Sequence, residues 1–124
     1  MKHLKKITMI LFFAFLWVSC IELIIDESYN GKSIQLSKRS VLTLRLAGNP
    51  TTGYGWSIDS AGLVELIGEP DYKPSSDMIG AGGTYTFRFR LIDKGESKLT
   101  MSYRRKWDVT AEPAKKFEIT IVSD

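Results

Sequence analysis

The side chains that carry nucleophilic or metal chemistry are scarce in this chain. It has one histidine, His3, and one cysteine, Cys20, and both lie close to the N-terminus. Pairs of Ser with His or Cys with His, and zinc sites built from Cys and His, require these residue types within a folded domain. The remaining carboxylates and lysines form no recognisable acid–base pair. The sequence therefore predicts a protein that binds other molecules and is not an enzyme, with no metal and no cofactor.

A turn-rich segment, residues 49–56, runs directly into an aromatic strand. Pro50 fixes its own φ and holds Asn49 in an extended conformation, and Gly53 can adopt conformations that other residues resist. The two threonines between them can hydrogen-bond locally and hold the turn. Such a loop is stiff, exposed and held at its base, which suits it to insertion into a cleft of another molecule. These residues alone are equally compatible with an ordinary tight turn that has no function.

Three glycines occupy four positions at residues 80–83, immediately before the most regular strand pattern. A phosphate-binding loop would require a helix after the glycines, whereas residues 84–91 alternate as a strand does. Two interpretations remain. The segment is either a flexible loop tip or a stretch of backbone that must lie close against another surface, where side chains would be in the way.

A third segment, residues 104–108, combines charged side chains with Trp107. No neighbouring apolar pattern is available to bury this tryptophan in a core. Trp and Arg are the residue types most enriched at binding hot spots, so Trp107 and Arg105 are candidates for contact with a partner. The alternative is a tryptophan that folds back over the end of the domain.

The rest of the chain alternates at period two, which is typical of half-buried strands. In the clearest case Tyr85, Phe87 and Phe89 point to one side while threonines and arginines point to the other. Seven such short runs are separated by turn signals, and no segment shows a helical period with caps. This pattern predicts an all-β, immunoglobulin-like sandwich of two antiparallel sheets.

The N-terminus has the features of a targeting segment. Three lysines lie within the first six residues, and residues 7–18 are apolar apart from Thr8. That run is shorter than the roughly 20 residues needed to span a bilayer, but it fits a secretory signal. A small residue, Ser19, directly precedes Cys20, which resembles a bacterial lipobox whose cysteine is lipidated. Trp17 stands where that motif usually has Leu, and the alternative is a plain secretory signal.

The predicted organisation is a signal peptide over residues 1–19, a tether over 20–32 and one domain over 33–124. Three of the 17 Lys and Arg lie in the signal peptide, which leaves 14 against 14 Asp and Glu. Basic residues are therefore not in excess, and we expect no nucleic-acid partner. We expect an exported protein: a cell-envelope lipoprotein anchored to a membrane through Cys20, or otherwise a periplasmic or secreted one.

Taken together, the three segments resemble the signature loops of the chagasin-type inhibitors of papain-like cysteine proteases. Their order, spacing and flanking strands agree with that family over roughly residues 32–122. The resemblance implies an eight-stranded sandwich, so the expected fold is an immunoglobulin-like antiparallel β-sandwich of seven to eight strands. It also implies that the three loops lie side by side at one end and form a wedge.

In that family arrangement the first loop would enter the catalytic cleft, with Thr51 and Thr52 near the protease's cysteine. The glycine loop would pair along one side of the cleft through its backbone, and Trp107 with Arg105 would pack on the other side. Inhibition would be reversible and would work by occlusion. The residues expected to contact the protease are Asn49, Pro50, Thr51, Thr52, Gly53, Tyr54, Gly80, Gly82, Gly83, Arg105 and Trp107.

One residue departs from the family pattern. Lys106 stands where the third loop of the family usually has proline. Without proline the loop is expected to be less well ordered before binding, so that ordering it costs more of the binding free energy.

A second class of function is an exported adhesion or carbohydrate-binding module. In such a module Trp107, Tyr72 and Tyr103 would be exposed and would stack on sugar rings. A sugar-binding platform has no need for the first loop and the glycine loop at the same end, which is what separates the two hypotheses.

Overall fold

The alternating pattern folds into two packed β-sheets. The structure is a computed structural model and describes residues 21–108 and 110–124. Two short 3₁₀ turns accompany the strands, at Glu27–Tyr29 and Pro50–Thr52. The strands of the described residues are β1 (Ile21–Asp26), β2 (Ser33–Gln35), β3 (Ser40–Gly48), β4 (Tyr54–Ser60), β5 (Val64–Leu66), β6 (Asp71–Pro74), β7 (Gly83–Leu91), β8 (Gly95–Arg105) and β9 (Lys115–Ser123).

One sheet has the order β1-β3-β7-β5, with β6 also paired to β7, and the other has the order β2-β9-β8-β4. The long central pairs, β3 with β7 and β8 with β9, are antiparallel. The predicted sandwich is thus confirmed. Two edge pairs differ from the prediction, because β1 pairs with β3 and β2 pairs with β9 in parallel.

The core lies between the sheets and is formed by the inward-facing residues of the long strands. Phe89 of β7 and its cross-strand partner Leu42 of β3 are fully buried. Each such side chain contributes about 1.5–3 kcal/mol when it is removed from water. The other largest fully buried side chains are Phe117, Ile25, Leu36, Leu44, Leu46, Leu99, Met101, Ile119, Ile121 and Val64.

The tether predicted over residues 20–32 is corrected by the structure. Strand β1 pairs with β3 over its whole length, and Ile25 is buried in the core. The turn that follows is also held, since the Gly31 N–H donates to the Glu118 carbonyl at 2.7 Å. The apolar residues at 21, 23 and 25 alternate as a strand does, a signal overlooked beside the apolar leader. From Ile21 onward, the segment predicted as a tether is therefore part of the sandwich.

The predicted signal peptide and Cys20 lie outside the described residues. Within residues 21–108 and 110–124, no helix has the length and apolar character to cross a membrane.

The strand registers bring three connections to one end of the sandwich. Gly48 at the end of β3 pairs with Gly83 at the start of β7, and Tyr54 at the start of β4 pairs with Arg105 at the end of β8. The first loop (residues 49–53), the glycine loop (residues 75–82) and the third loop (residues 106–114) all leave from these positions. We call this the loop end. Residues 36–39 and 92–94 connect strands at the opposite end.

Candidate functional site

The first loop is organised by its own side chains. Asn49 caps the 3₁₀ turn: its Oδ1 accepts hydrogen bonds from the Thr51 N–H at 3.1 Å and from the Thr51 hydroxyl at 2.6 Å. The Thr52 hydroxyl donates to the Asn49 carbonyl at 2.7 Å. Gly53 ends the turn at φ 85°, a left-handed conformation that favours glycine. These hydrogen bonds account for the stiffness of the first loop that the sequence predicted.

The base of this loop rests on a buried tyrosine ring and two partly buried aromatic rings. The Asn49 N–H donates to the Tyr103 hydroxyl oxygen at 2.7 Å, and Tyr103 is only 7% exposed. Tyr54 and Trp56 pack on the same ring, with centroids 5.5 and 5.1 Å away. Tyr103 was considered as an exposed sugar-stacking residue, and the structure contradicts that interpretation. It is a support beneath the first loop.

Tyr72, the second tyrosine considered for sugar stacking, is also engaged. Its ring packs against Tyr85 at 4.9 Å, and it is half-buried. Burial raises the pKa of Tyr85, with smaller contributions from Tyr103 and Tyr72. These tyrosines form an internal aromatic cluster beneath the loop end and do not form an open platform.

Asn49 also links the first loop to the glycine loop. Its side-chain amide donates to the Gly80 carbonyl at 2.8 Å. The Gly82 carbonyl accepts from the Ser75 N–H at 3.0 Å and from the Ser75 hydroxyl at 2.7 Å. The glycine loop is therefore closed on itself and attached to its neighbour, which contradicts the interpretation of a merely flexible tip.

Different contacts constrain the glycines at residues 80, 82 and 83. A Cβ on Gly83 would lie 2.2 Å from the Lys73 carbonyl oxygen, so β6 within this chain already requires glycine there. A Cβ on Gly82 would lie 3.3 Å from the Gly48 carbonyl oxygen, a milder restriction. Gly80 has φ 83° and open space around it. Packing against β6 within this chain therefore explains why residue 83 is glycine, and close approach to a partner is not needed to explain it.

Two apolar residues beside the glycines were not singled out from the sequence. Met78 and Ile79 precede Gly80 at the loop end, and the Ile79 side chain is fully exposed. Adjacent exposed apolar side chains mark a binding surface more often than isolated ones do. The available signal was an apolar pair within a run of Ser, Asp and Gly that has no strand alternation.

The third loop lies over the first loop and the start of β4. Trp107 is 72% exposed, yet one edge of its ring covers Gly53: a Cβ on that glycine would lie 2.6 Å from the ring atom Cη2. The Arg105 guanidinium lies 5.2 Å from the Tyr54 ring centroid and 5.9 Å from that of Trp107. Trp107 therefore leans on the first loop while most of its ring faces solvent.

Lys106, which replaces the family proline, has its own place in this arrangement. Its aliphatic stem passes over Gly55, where a Cβ would lie 3.0 Å from the lysine Cε. The turn is closed by the Asp108 N–H, which donates to the Arg105 carbonyl at 3.1 Å. The loop thus has contacts of its own that order it without proline.

What the described residues of the site offer is contact surface: two bonded loops and an exposed tryptophan. Within the described ranges no cluster of His, Cys, Asp or Glu could hold a metal ion. The structure brings all eleven residues predicted to contact a protease to the loop end.

Comparison with known proteins decides the family. Residues 35–121 match the family described as Chagasin family peptidase inhibitor I42. This chain belongs to the chagasin family. The family predicted from the three loops is therefore confirmed. The prediction that the chain is not an enzyme is also confirmed, because the family consists of inhibitors.

Individual relatives agree with this assignment. The chain is 33% identical to Amoebiasin-1 of Entamoeba histolytica over 84 residues, which is 67% of this chain and 82% of the relative. A crystal structure of the cysteine protease inhibitor EhICP2 from Entamoeba histolytica superposes with TM-score 0.74 at 21% identity, over 85% of this chain and 97% of the other. PbICP-C, solved in complex with falcipain-2, superposes with TM-score 0.56 at 16% identity, over 84% of this chain and 99% of the other.

Proposed function

We propose that this chagasin-family chain inhibits papain-like cysteine proteases reversibly, by filling the catalytic cleft with its three loops. The observation that carries the proposal is the joining of the loops into one unit. Asn49 bonds to the glycine loop, and Gly53 lies under Trp107 of the third loop. A wedge that is already assembled loses less conformational entropy when it binds.

The first loop is suited to occupy a cleft without being cleaved. Its backbone over Pro50–Thr52 forms a 3₁₀ turn. A segment that binds by strand pairing needs an extended, β-like backbone instead. The Thr51 and Thr52 hydroxyls bond inward to Asn49. The loop would therefore cover the protease's cysteine with a surface that resists unfolding into a substrate conformation.

The other two loops would grip the walls of the cleft on either side. The glycine loop would contribute its backbone together with the exposed Met78 and Ile79 side chains. The third loop would contribute Trp107, and the adjoining end of β8 would contribute Arg105; Trp and Arg are residue types that often dominate binding energy. PbICP-C, which has this fold, has been solved in complex with falcipain-2, so one protein of this fold is known to bind another protein.

An inhibition assay tests this function. Residues 21–124, which include β1, should inhibit papain with a constant in the nanomolar to low micromolar range, roughly −8 to −12 kcal/mol. The same preparation should leave trypsin untouched. A folded domain that fails to inhibit any of several papain-like proteases would contradict the proposal, and binding to a panel of polysaccharides would favour the carbohydrate-binding alternative.

We also propose that the chain is exported and that Cys20 is lipidated, which would anchor the inhibitor to a membrane. The basic and apolar leader supports export, and the small residue Ser19 directly before Cys20 supports lipidation. Because a single acyl chain binds a membrane weakly, stable anchoring would need a multiply acylated cysteine. Cys20→Ser should convert a detergent-partitioning protein into a soluble secreted one, and equal solubility of the two forms would indicate a plain secretory signal.

A further inference from the structure

Strand β1 fixes where an N-terminal anchor would leave the domain. It runs parallel to β3, with Ile21 beside Ser40 and Asp26 beside Arg45. Strand β3 continues from Ser40 to Gly48 and leads into the first loop. Ile21 therefore lies at the end of the sandwich opposite the loop end. Because Cys20 directly precedes Ile21, a lipid on that cysteine would be attached at this opposite end.

The residues next to this attachment point are rigidly connected to the rest of the fold. Strand β1 is paired to β3 along all six of its residues, and Ile25 is buried in the core. The Thr43 hydroxyl donates to the Glu22 carboxylate at 2.5 Å and adds a side-chain link between the two strands. The lipid would thus be joined to a rigid body, so its position constrains the orientation of the whole domain.

The surface at this end has the chemistry of a membrane-contact face. Ile21 is 62% exposed and Ile92 is 55% exposed, and such side chains can enter the boundary between headgroups and acyl chains. Lys38 lines one surface depression with Ile21 and a second one with Ile92 and Lys94. Arg39, also exposed, follows Lys38 in the same connection, and the acidic residues Asp93 and Asp124 line the second depression. Long basic side chains keep their charge at headgroup level while their stems cover apolar surface.

We infer that this surface, the anchor face, formed by Ile21, Lys38, Arg39, Ile92 and Lys94, lies against the lipid headgroups, and that the three loops point away from the membrane. The inference rests on the proposed lipidation of Cys20. Strand β3 spans nine residues, so the loops would stand roughly 27 Å above the anchor face. A protease could then approach from the aqueous side while the inhibitor stays anchored.

Tryptophan fluorescence can measure this orientation. After residue 19 the chain has two tryptophans, Trp56 and Trp107, and both belong to the loop end. Ile92→Trp adds a reporter to the anchor face, and Ile79→Trp adds a matched reporter to the loop end, since both replace an exposed isoleucine. The full-length lipoprotein would be reconstituted into phosphatidylcholine–phosphatidylglycerol vesicles that contain a lipid with a nitroxide on its headgroup.

The added Ile92→Trp emission should be largely lost, while the emission of the wild-type protein and of Ile79→Trp should be retained. Equal quenching at the two positions, or stronger quenching at residue 79, would overturn the inference.

If the full-length chain fails to float with vesicles, lipidation is wrong. The same comparison is then made on residues 20–124 coupled through the Cys20 thiol to a maleimide lipid, and loss of the contrast there overturns the anchor face. Papain inhibition by the uncoupled chain is independent of orientation, so the two proposals fail separately.

Discussion

The first and third loops reach an ordered shape by different means. The first loop is held mostly from within, since Asn49 bonds to both of the threonines that follow it. The third loop depends on what lies beneath it, because Trp107 leans on Gly53 and Lys106 passes over Gly55. A local turn can be encoded by a few adjacent residues, whereas a loop of the second kind needs a prepared surface. The shared contact at Gly53 makes the order of one loop depend on the other.

The largest expected effect comes from a change at that shared contact. Gly53→Val places a β-branched side chain at φ 85° and drives its Cβ into the Trp107 ring. Backbone strain of about 1–2 kcal/mol and displacement of an anchor worth about 2 kcal/mol should together weaken papain inhibition about 100-fold or more. The inhibition constant and the thermal midpoint are measured on the same preparation.

A matched control separates strain from displacement. Gly68 also has positive φ, at 68°, but a Cβ there meets no atom within 4 Å. Gly68→Val should lower the thermal midpoint to a similar or smaller extent and leave inhibition unchanged. An equal loss of inhibition in both variants would show that the contact between Gly53 and Trp107 has no special role.

Trp107→Ala removes the third loop's large apolar side chain and leaves the first loop intact. Truncation of a central anchor costs about 2 kcal/mol, or roughly 30-fold in affinity. Because the ring is 72% exposed, the free energy of unfolding should change by no more than about 0.5 kcal/mol. Ile92→Ala, at the opposite end, is the control. A strong fall in midpoint with unchanged inhibition would instead identify Trp107 as a structural residue outside the wedge.

A smaller effect is expected at the base of the first loop. Tyr103→Phe keeps the ring that supports Tyr54 and Trp56 but removes the oxygen that accepts from the Asn49 N–H. The loss of one hydrogen bond should cost about 1 kcal/mol, close to fivefold in inhibition if the loop loosens. Amide hydrogen exchange at Asn49 should accelerate in parallel. Unchanged exchange would mean that the first loop does not need its aromatic base.

The departure from the family proline gives a still smaller prediction. Lys106→Pro would stiffen a loop that Arg105 and Trp107 already hold, so we expect a gain of at most about 1 kcal/mol, within fivefold in affinity. A much larger gain would show that the native third loop is poorly ordered before binding, as the sequence alone had predicted. The inhibition constants of the two forms decide between these outcomes.

The smallest effect should come from pH. Histidine is the side chain whose ordinary pKa lies between pH 5 and 8, and residues 4–124 contain none. Burial raises the pKa of Tyr85 from an ordinary value of 10.0, further from this window. Its contribution to stability therefore changes only above about pH 10. Inhibition measured from pH 5 to 8 should follow the ionisation of the protease alone, and a transition that persists across several proteases would contradict this.

Much of the fold could be read from the sequence because it depends on period-two alternation. That signal located seven strands but missed β1, which follows an apolar leader, and β6, which is polar apart from Tyr72 and ends at Pro74. The internal bonds of the first loop were equally predictable, since they join adjacent residues. The contact between Trp107 and Gly53, and the crowding of Gly83 by β6, join residues distant in sequence. Patterns over a few adjacent residues do not predict contacts of this kind.

In the proposed complex, the joined loops cover the catalytic cysteine of a papain-like protease. The most direct test is the rate at which iodoacetamide alkylates that cysteine, whose thiolate is the reactive form, with the inhibitor in excess. We expect the wild-type protein and Gly68→Val to protect the cysteine and Gly53→Val to lose that protection. The inhibitor should be recovered with its first loop uncut. Alkylation at the rate of the free protease, while peptide hydrolysis is still inhibited, would place the inhibitor outside the cleft and refute occlusion by the loops.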